Sequence, residues 1–443
     1  MPLAFGVGGT GASQRGSWAA GNRLIVAGTR PSVSTRMRTR NRRFWAEEQI
    51  ILLGVGTAAR RQAMRERAAE LAALVDWSLV AELLRVRRLL PLLGPRLVEL
   101  VDHVGVDDEF AVVVNRAVEA ACRQGVALQL VEERVTAVLA DAGIVSTTLK
   151  GSRLSEALYG DPGRRLSSDI DLLVAGDQLY NAVEAVRTLG YGYPTDHVDD
   201  DGLPRLHFAL IHERNQLPPV ELHWRMHWYE GRFAEERLLP PKGAQVDTWR
   251  PASGDELTAL LLFYARDGFS NLRLATDLGA WWDAFGARLQ PGAIDELIQS
   301  YPALEHVLLV AARVAERVVG LPPAPLTSPR SKLGARDRIA LQLADPYPRS
   351  SDAQLYADIG LIDGLLMPRG SFRAFVRRQV FPPRDVLYEQ ARRSRRNRAT
   401  SSVGHGARVL VRYALAMARL VRPGQSKCSR AVDARGGLRR ASG

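Results

Sequence analysis

With 443 residues, 46% of them apolar and 24% charged, the chain can bury one large or two medium cores. Its two cysteines, Cys122 and Cys428, have no partner at metal-ligand spacing, which excludes a disulfide framework and a cysteine-based zinc site and fits a reducing, cytoplasmic setting. The net charge of +12 sits at the ends: residues 1–43 carry eight arginines and no acid, residues 392–443 carry +13, and residues 44–391 are left at −9. Basic flanks of this kind read as solvated tails around an acidic core. The apolar stretches at 50–55 and 409–421, the latter broken by Arg412 and Arg419, are too short or too charged to cross a bilayer.

Residues 1–43, rich in Gly, Ser, Thr and Arg, show no periodicity and are expected to be a disordered tail. Arg42-Arg43-Phe44 has the look of a twin-arginine signal, but Glu47 and Glu48 interrupt the approach to the short apolar run, so a loose tail is preferred. From 44 to 140 apolar residues recur at three and four, as in Leu128-Val131-Val135-Val138-Leu139, and predict a helical region. The pattern changes at 142–149, a β-branched run that predicts a strand, followed by a helix over 152–159 and a Gly-Asp-Pro-Gly turn at 160–163. A second strand is expected at 169–174, a helix at 177–189 ended by Gly190, and two more strands at 206–214 and 220–226 across a Pro218-Pro219 turn. Helical periodicity returns at 255–264, with Ser253 or Asp255 as the expected cap, and at 272–285 and 303–319. A Pro-rich link at 321–329, a loop at 346–351 and a basic stretch at 392–406 mark further boundaries. The expected domains are therefore a tail at 1–43, helices at 44–140, an α/β core at 141–250, helices at 251–391, and a basic tail at 392–443 with a helix at 407–421.

The informative chemistry is Lys150-Gly151-Ser152, then sixteen intervening residues, then Asp169-Ile170-Asp171. On a strand Asp169 and Asp171 project from one face, and two anions beside an apolar run cost several kcal/mol unless a cation compensates them. Hard oxygen ligands suit Mg²⁺. Glu221, flanked by Val220 and Leu222 on a later strand, is the candidate third carboxylate for a two-ion site. Gly151-Ser152 opens a helix straight after a strand, so backbone N–H groups and the helix dipole favour an anion there, and a triphosphate is the obvious one.

These residues resemble the pattern of the DNA polymerase β-like nucleotidyltransferase superfamily. The longer signature of Thr148-Leu149-Lys150-Gly151, Leu158-Tyr159, Asp161-Pro162-Gly163, Arg165, Asp169 to Val174 and Val220-Glu221-Leu222-His223-Trp224 resembles the bacterial uncharacterised nucleotidyltransferase family. The resemblance runs from Trp77 and Pro91 to the helix of Asp277, with Phe381-Pro382 as its outer bound. It implies an α+β fold, a small mixed sheet like the polymerase β palm flanked by N-terminal and C-terminal helices. It also implies transfer of a nucleoside monophosphate from a nucleoside triphosphate to a hydroxyl acceptor, with pyrophosphate released. Asp169 and Asp171 would hold two Mg²⁺ (or Mn²⁺) ions, Glu221 would bind the ion on the attacking side, Gly151 and Ser152 would cradle phosphates, and Lys150 and Arg165 would add positive charge. Two departures stand out: the spacer from Ser152 to Asp169 is longer than the superfamily norm, and Arg266-Asp267-Gly268 stands where Lys-His-Gly is expected.

Five of the eight histidines, His197, His207, His212, His223 and His227, fall within 31 residues. His223 and His227 have zincin spacing, but Trp224 stands in place of the catalytic Glu and the segment reads as strand, so core or site-lining roles are preferred. His207 and His223 are candidates for the border of an acceptor pocket. Trp224, Trp228, Trp281 and Trp282 read as packing residues sooner than base-stacking ones. The acidic core has no basic stripe interleaved with aromatics, which argues against nucleic acid as its partner and for a small molecule, sugar or protein acceptor. Two alternatives stay open: a degenerate fold serving as a binding or accessory protein, and a toxin-like transferase acting on protein or tRNA.

Overall fold

The computed structural model describes residues 45–193, 206–241, 249–323, 332–346, 352–368, 373, 376–377, 380–381 and 402–421. The N-terminal tail, His197, most of the Pro-rich link, the 346–351 loop beyond Pro346 and most of the C-terminal basic flank lie outside the described residues.

The described residues start with helices α1 (Trp45–Gly54), α2 (Ala58–Ala63), α3 (Arg65–Ala72), α4 (Trp77–Val86) and α5 (Leu90–Leu100). Their starts follow the local chemistry: the Asp76 carboxylate accepts from Leu79 N at 3.1 Å to cap α4, and Pro91 sits in the first turn of α5, where a missing N–H costs nothing. Helix α6 (Asp108–Asp141) is capped by Asp107, which accepts from Phe110 N at 2.9 Å, and its 34 residues span about 51 Å at 1.5 Å per residue. It therefore reaches both cores of the molecule: Phe110 and Val114 pack in the larger one, Leu128, Val135 and Leu139 in the smaller.

The central segment supplies β1 (Ser146–Thr148), α7 (Ser152–Tyr159), β2 (Ile170–Val174), α8 (Leu179–Arg187), β3 (His207–Leu210) and β4 (Val220–His223). The four strands form one mixed sheet in the order β1-β2-β4-β3, with β1–β2 and β3–β4 antiparallel and β2–β4 parallel. Ile170, Leu172, Val174, Val220 and Leu222 turn one face onto α6 and α8 as the smaller core. Full burial of residues such as Leu172 and Leu222 contributes roughly 1.5–3 kcal/mol each.

Helices α9 (Phe233–Leu238), α10 (Ser253–Arg266), α11 (Leu272–Phe285), α12 (Ala293–Ser300), α13 (Glu305–Val319), α14 (Ala335–Leu343) and α15 (Asp352–Leu366) follow. Residues of α10, α11 and α13 join those of α1 and α5 in a single larger core, so the helices before and after the sheet pack on one another. The last helix, α16 (Ser402–Val421), starts five residues earlier than expected.

The fold is the expected α+β arrangement, a small mixed sheet flanked by helices. Some local expectations differ. Strand β2 begins at Ile170, whose N–H donates to Pro219 O at 2.9 Å, so Asp169 precedes the strand. Ala252 caps α10 instead of Ser253 or Asp255, because Asp255 is turned inward to accept from Arg237 Nε at 3.0 and 3.2 Å. Among the described residues no helix is long and apolar enough to cross a membrane.

Candidate active site

The second face of the sheet carries the chemistry. Parallel pairing sets Asp171 on β2 opposite Glu221 on β4, and antiparallel pairing sets His207 on β3 opposite His223 on β4. With a side-chain period of two, Glu221 and His223 share this face, and so does Asp171. Asp169 approaches from the loop before β2, where the Ser167 hydroxyl donates to its Oδ1 at 2.9 Å. One carboxylate oxygen from each of Asp169, Asp171 and Glu221 lies within 4.8 Å of the others.

Asp171 is 1% exposed. Its Oδ1 receives Lys150 Nζ at 3.0 Å and faces His223 Nε2 at 3.0 Å, while Oδ2 is buried with no hydrogen-bond partner among the described residues. Burial alone would raise this carboxyl, but the Lys150 ammonium and the His223 ring more than reverse that and hold it well below the usual carboxylate range. Glu221 follows the same pattern: burial would raise it, yet the hydrogen bond with His223 and the nearby His207 hold it below its ordinary value despite Asp171. Burial pushes the His207 ring down to about 4, against the pull of Glu221.

Next to Lys150, Gly151 precedes α7 with φ of 90°, a backbone conformation that glycine adopts without steric cost. The Ser152 hydroxyl turns inward to Glu132 Oε2 at 3.4 Å. Thr148 Oγ1 at 2.7 Å and Arg153 Nε at 2.5 Å donate to the Glu132 Oε1. Glu132 thus ties the strand end, the turn and the start of α7 together from α6. Burial raises its carboxyl, against Thr148 and Arg153.

Arg165 lines the cleft, and its Nε is held by a buried carboxylate. Its Nε donates to Asp277 Oδ2 at 2.7 Å, and Tyr159 OH donates to Asp277 Oδ1 at 2.7 Å, in a site where Arg165 is 4% and Asp277 0% exposed. The cleft holds about 110 Å³, and its lining includes Lys150, Asp169, Asp171, Arg266 and Arg273. Arg266 Nη1 and Arg273 Nε are buried without hydrogen-bond partners among the described residues. Burial, then Arg165, lowers Arg273 to about 10. Phe263 lies beneath two cations, Lys150 Nζ and the Arg266 guanidinium, each 5.0 Å from its ring centre. Guanidinium donors without acceptors and a carboxylate oxygen without a partner, on residues lining one cleft, suit an anion and a cation held side by side.

Of the described histidines of the run, His207 and His223 reach this face. His212 packs edge-on against Tyr191, and His227 is fully buried against Trp228 and Tyr229. Trp224 packs on Phe208, and Trp281 is buried with its Nε1 donating to Glu256 at 3.2 Å. Sequence reasoning passed over Glu132, Phe263 and Arg273. Glu132 did carry a signal, since it interrupts the apolar stripe Leu128-Glu132-Val135-Leu139 at spacings of four, three and four. Arg273, in the first turn of α11, carried none.

A mixed sheet bearing two carboxylates, joined by a third from the loop before β2 and with a Gly-Ser helix start after its first strand, defines a core of nucleotidyltransferase type. The model of the family described as uncharacterised nucleotidyltransferase matches residues 73–320, over half of the chain, and the protein belongs to that family. The match ends short of Phe381. No curated protein and no solved structure matches the chain.

Proposed function

We propose that the protein is a cytoplasmic enzyme that moves a nucleoside monophosphate from a nucleoside triphosphate to a hydroxyl of a small molecule, a sugar or a protein, releasing pyrophosphate. The observation that supports this most is the convergence of Asp169, Asp171 and Glu221 with one buried Asp171 oxygen left unpartnered. Three carboxylates of hard oxygen fit Mg²⁺ or Mn²⁺, and Asp169, Asp171 and Glu221 would hold it. When bound, such ions supply positive charge to the reacting phosphate and to the attacking and leaving oxygens.

The remaining work falls to the chain's own side chains. Lys150 and His223 keep Asp171 ionised, so that it can accept a cation near neutral pH. Arg266 and Arg273 offer N–H groups to phosphate oxygens alongside Lys150 and Arg165, and the first turn of α7 offers backbone N–H groups. His207 and His223 border the side of Glu221, where an acceptor hydroxyl would approach. In the transfer, the acceptor oxygen bonds to the α-phosphorus, the bond from that phosphorus to the bridging oxygen breaks, and the hydroxyl proton leaves to solvent or a ring nitrogen.

The test is calorimetric titration of the full chain with each nucleoside triphosphate, with and without Mg²⁺, beside Asp169→Asn. Asp169 is half-buried and the amide oxygen can still accept from Ser167, so the variant should fold at least as stably as the parent, relieved of one like charge. The expected result is binding that requires Mg²⁺ and is lost in the variant, together with turnover. A variant that keeps Mg²⁺-dependent binding and full turnover would overturn the assignment.

A further inference from the structure

Strand register, not closeness in sequence, brings His207 and His223 together. They are directly opposed across β3 and β4, with ring centres 4.7 Å apart and planes inclined at 34°. Glu221 precedes His223 by two residues and shares its face. His207 Nε2 lies 3.7 Å and His223 Nε2 3.3 Å from Glu221 Oε2, and the three atoms all fall within 4.8 Å of one another. Ligands around a tetrahedral zinc at 2.0–2.1 Å stand about 3.3–3.4 Å apart, so these donors surround a space of that size with small side-chain adjustments.

We propose that His207, Glu221 and His223 form a binding site for a transition-metal ion of the Zn²⁺ class, distinct in donor chemistry from the three-carboxylate group and sharing Glu221 with it. Two imidazole nitrogens and one carboxylate suit Zn²⁺, whereas Mg²⁺ prefers oxygen throughout. Three protein ligands leave a fourth position open, as in exchangeable zinc sites. Access and rigidity are divided between the rings: His223 is fully buried against the edge of Phe263, 6.3 Å away, while His207 is partly exposed. Asp171 keeps Lys150 at 3.0 Å when His223 Nε2 turns to the ion, so its charge stays compensated. Neither Nδ1 has a hydrogen-bond partner among the described residues, and outer partners typically add 10–100-fold to metal affinity, so the ion should exchange and yield to a chelator. The consequence for turnover rests on the function proposed above: Zn²⁺ here withdraws Glu221 from the carboxylate group and should oppose Mg²⁺-dependent nucleotide binding.

Cobalt is the probe. Untagged, chelator-stripped full-length protein is titrated with Co²⁺ in the absence of nucleotide, the visible absorption of bound cobalt is followed, and Zn²⁺ is then added. One Co²⁺ per chain should bind with a visible band that Zn²⁺ abolishes. Affinity should fall at least tenfold in His207→Ala and in the bulkier His207→Gln, each checked for folding by circular dichroism, and should persist in Asp169→Asn. Absence of the band in the wild type, or equal losses in Asp169→Asn and the His207 variants, overturns the site. If cobalt binds as expected while no triphosphate binds with Mg²⁺, the proposed function fails and the histidine site stands.

Discussion

Glu230 lies between β4 and α9 and is 1% exposed. Its Oε2 accepts from Met226 N and His227 N, both at 2.9 Å, while Oε1 is buried without a hydrogen-bond partner among the described residues. Burial pushes the carboxyl up to about 8, against the two backbone donors and the fields of Arg225 and Arg266. In the unfolded chain it returns to its ordinary value of 4.5, so between these two pH values the folded state holds a proton that the unfolded state lacks. Stability must then fall as pH rises through that window. At about 1.4 kcal/mol per pH unit, the loss between pH 6.5 and 8 is about 2 kcal/mol. The lower limit matters because His227 has the opposite sign. Burial, then Arg266, lowers its ring to about 3, so below 6.5 the unfolded chain takes a proton the folded one refuses, and stability climbs with pH until 6.5. Glu230→Gln separates the two, since its amide oxygen can accept from the same backbone donors and does not titrate. In urea unfolding at pH 6.5 and pH 8, the wild type should lose about 2 kcal/mol more than the variant. Parallel losses in the two proteins would show that Glu230 is ionised in the folded state and refute the reasoning.

Two further substitutions probe the supports of the site. Asp277→Ala leaves the Arg165 guanidinium buried and uncompensated and takes the acceptor from Tyr159, for an expected cost of about 3–5 kcal/mol in urea unfolding. The double replacement Arg165→Met with Asp277→Leu should recover most of that, and a loss below about 1 kcal/mol in the single variant would refute the buried-pair account. A Cβ at Gly163 would overlap the Ala121 carbonyl of α6, so Gly163→Ala should cost about 1–3 kcal/mol or more. Gly176→Ala, where a Cβ meets nothing within 4 Å, should stay within about 0.5 kcal/mol, and equal effects at the two sites would deny the close contact.

Helices were legible in the sequence wherever punctuation and periodicity agreed. Helix α7 runs from Ser152 to Tyr159 as expected because glycines with φ of 90° and 68° bound it, and α11 keeps its expected limits of 272–285. Strands were legible in number and order but not in length. The β-branched run at 142–149 yields only Ser146–Thr148, which pair with Val174, Leu173 and Leu172: β2 ends at Val174 and leaves residues 142–145 no ladder partner, while at the other end Leu149 N still donates to Asp171 O at 3.1 Å just outside the strand. Composition reports propensity, while the partner's length lies elsewhere in the chain. The histidines show the same limit: zincin spacing linked His223 with His227, but β3–β4 register joins His223 to His207, and His227 turns into the core.

Arg165 shows why the long spacer before Asp169 is more than a linker. As a cation between the Gly-Ser turn and the aspartates, it suggested phosphate binding, and only the tertiary structure supplies Asp277, 112 residues away, as its partner. The segment is pinned repeatedly on its way to the strand. Gly163 packs on the backbone of α6, Ser155 Oγ donates to Asp161 O at 2.6 Å and accepts from Arg165 N at 2.9 Å, and Gln124 Nε2 of α6 holds Ser167 O at 3.0 Å. Ser167 then orients Asp169 directly. Because Asp169 lies outside the β2 ladder, these contacts do for it what strand pairing does for Asp171 and Glu221. Arg165 keeps its place in the cleft lining, together with Arg266 and Arg273, whose Nη1 and Nε respectively are buried without a hydrogen-bond partner among the described residues. Within Arg266-Asp267-Gly268, Arg266 keeps at the cleft the cation expected there of a lysine, and Asp267, in place of the expected histidine, accepts from Asn271 at 2.6 Å beside the start of α11.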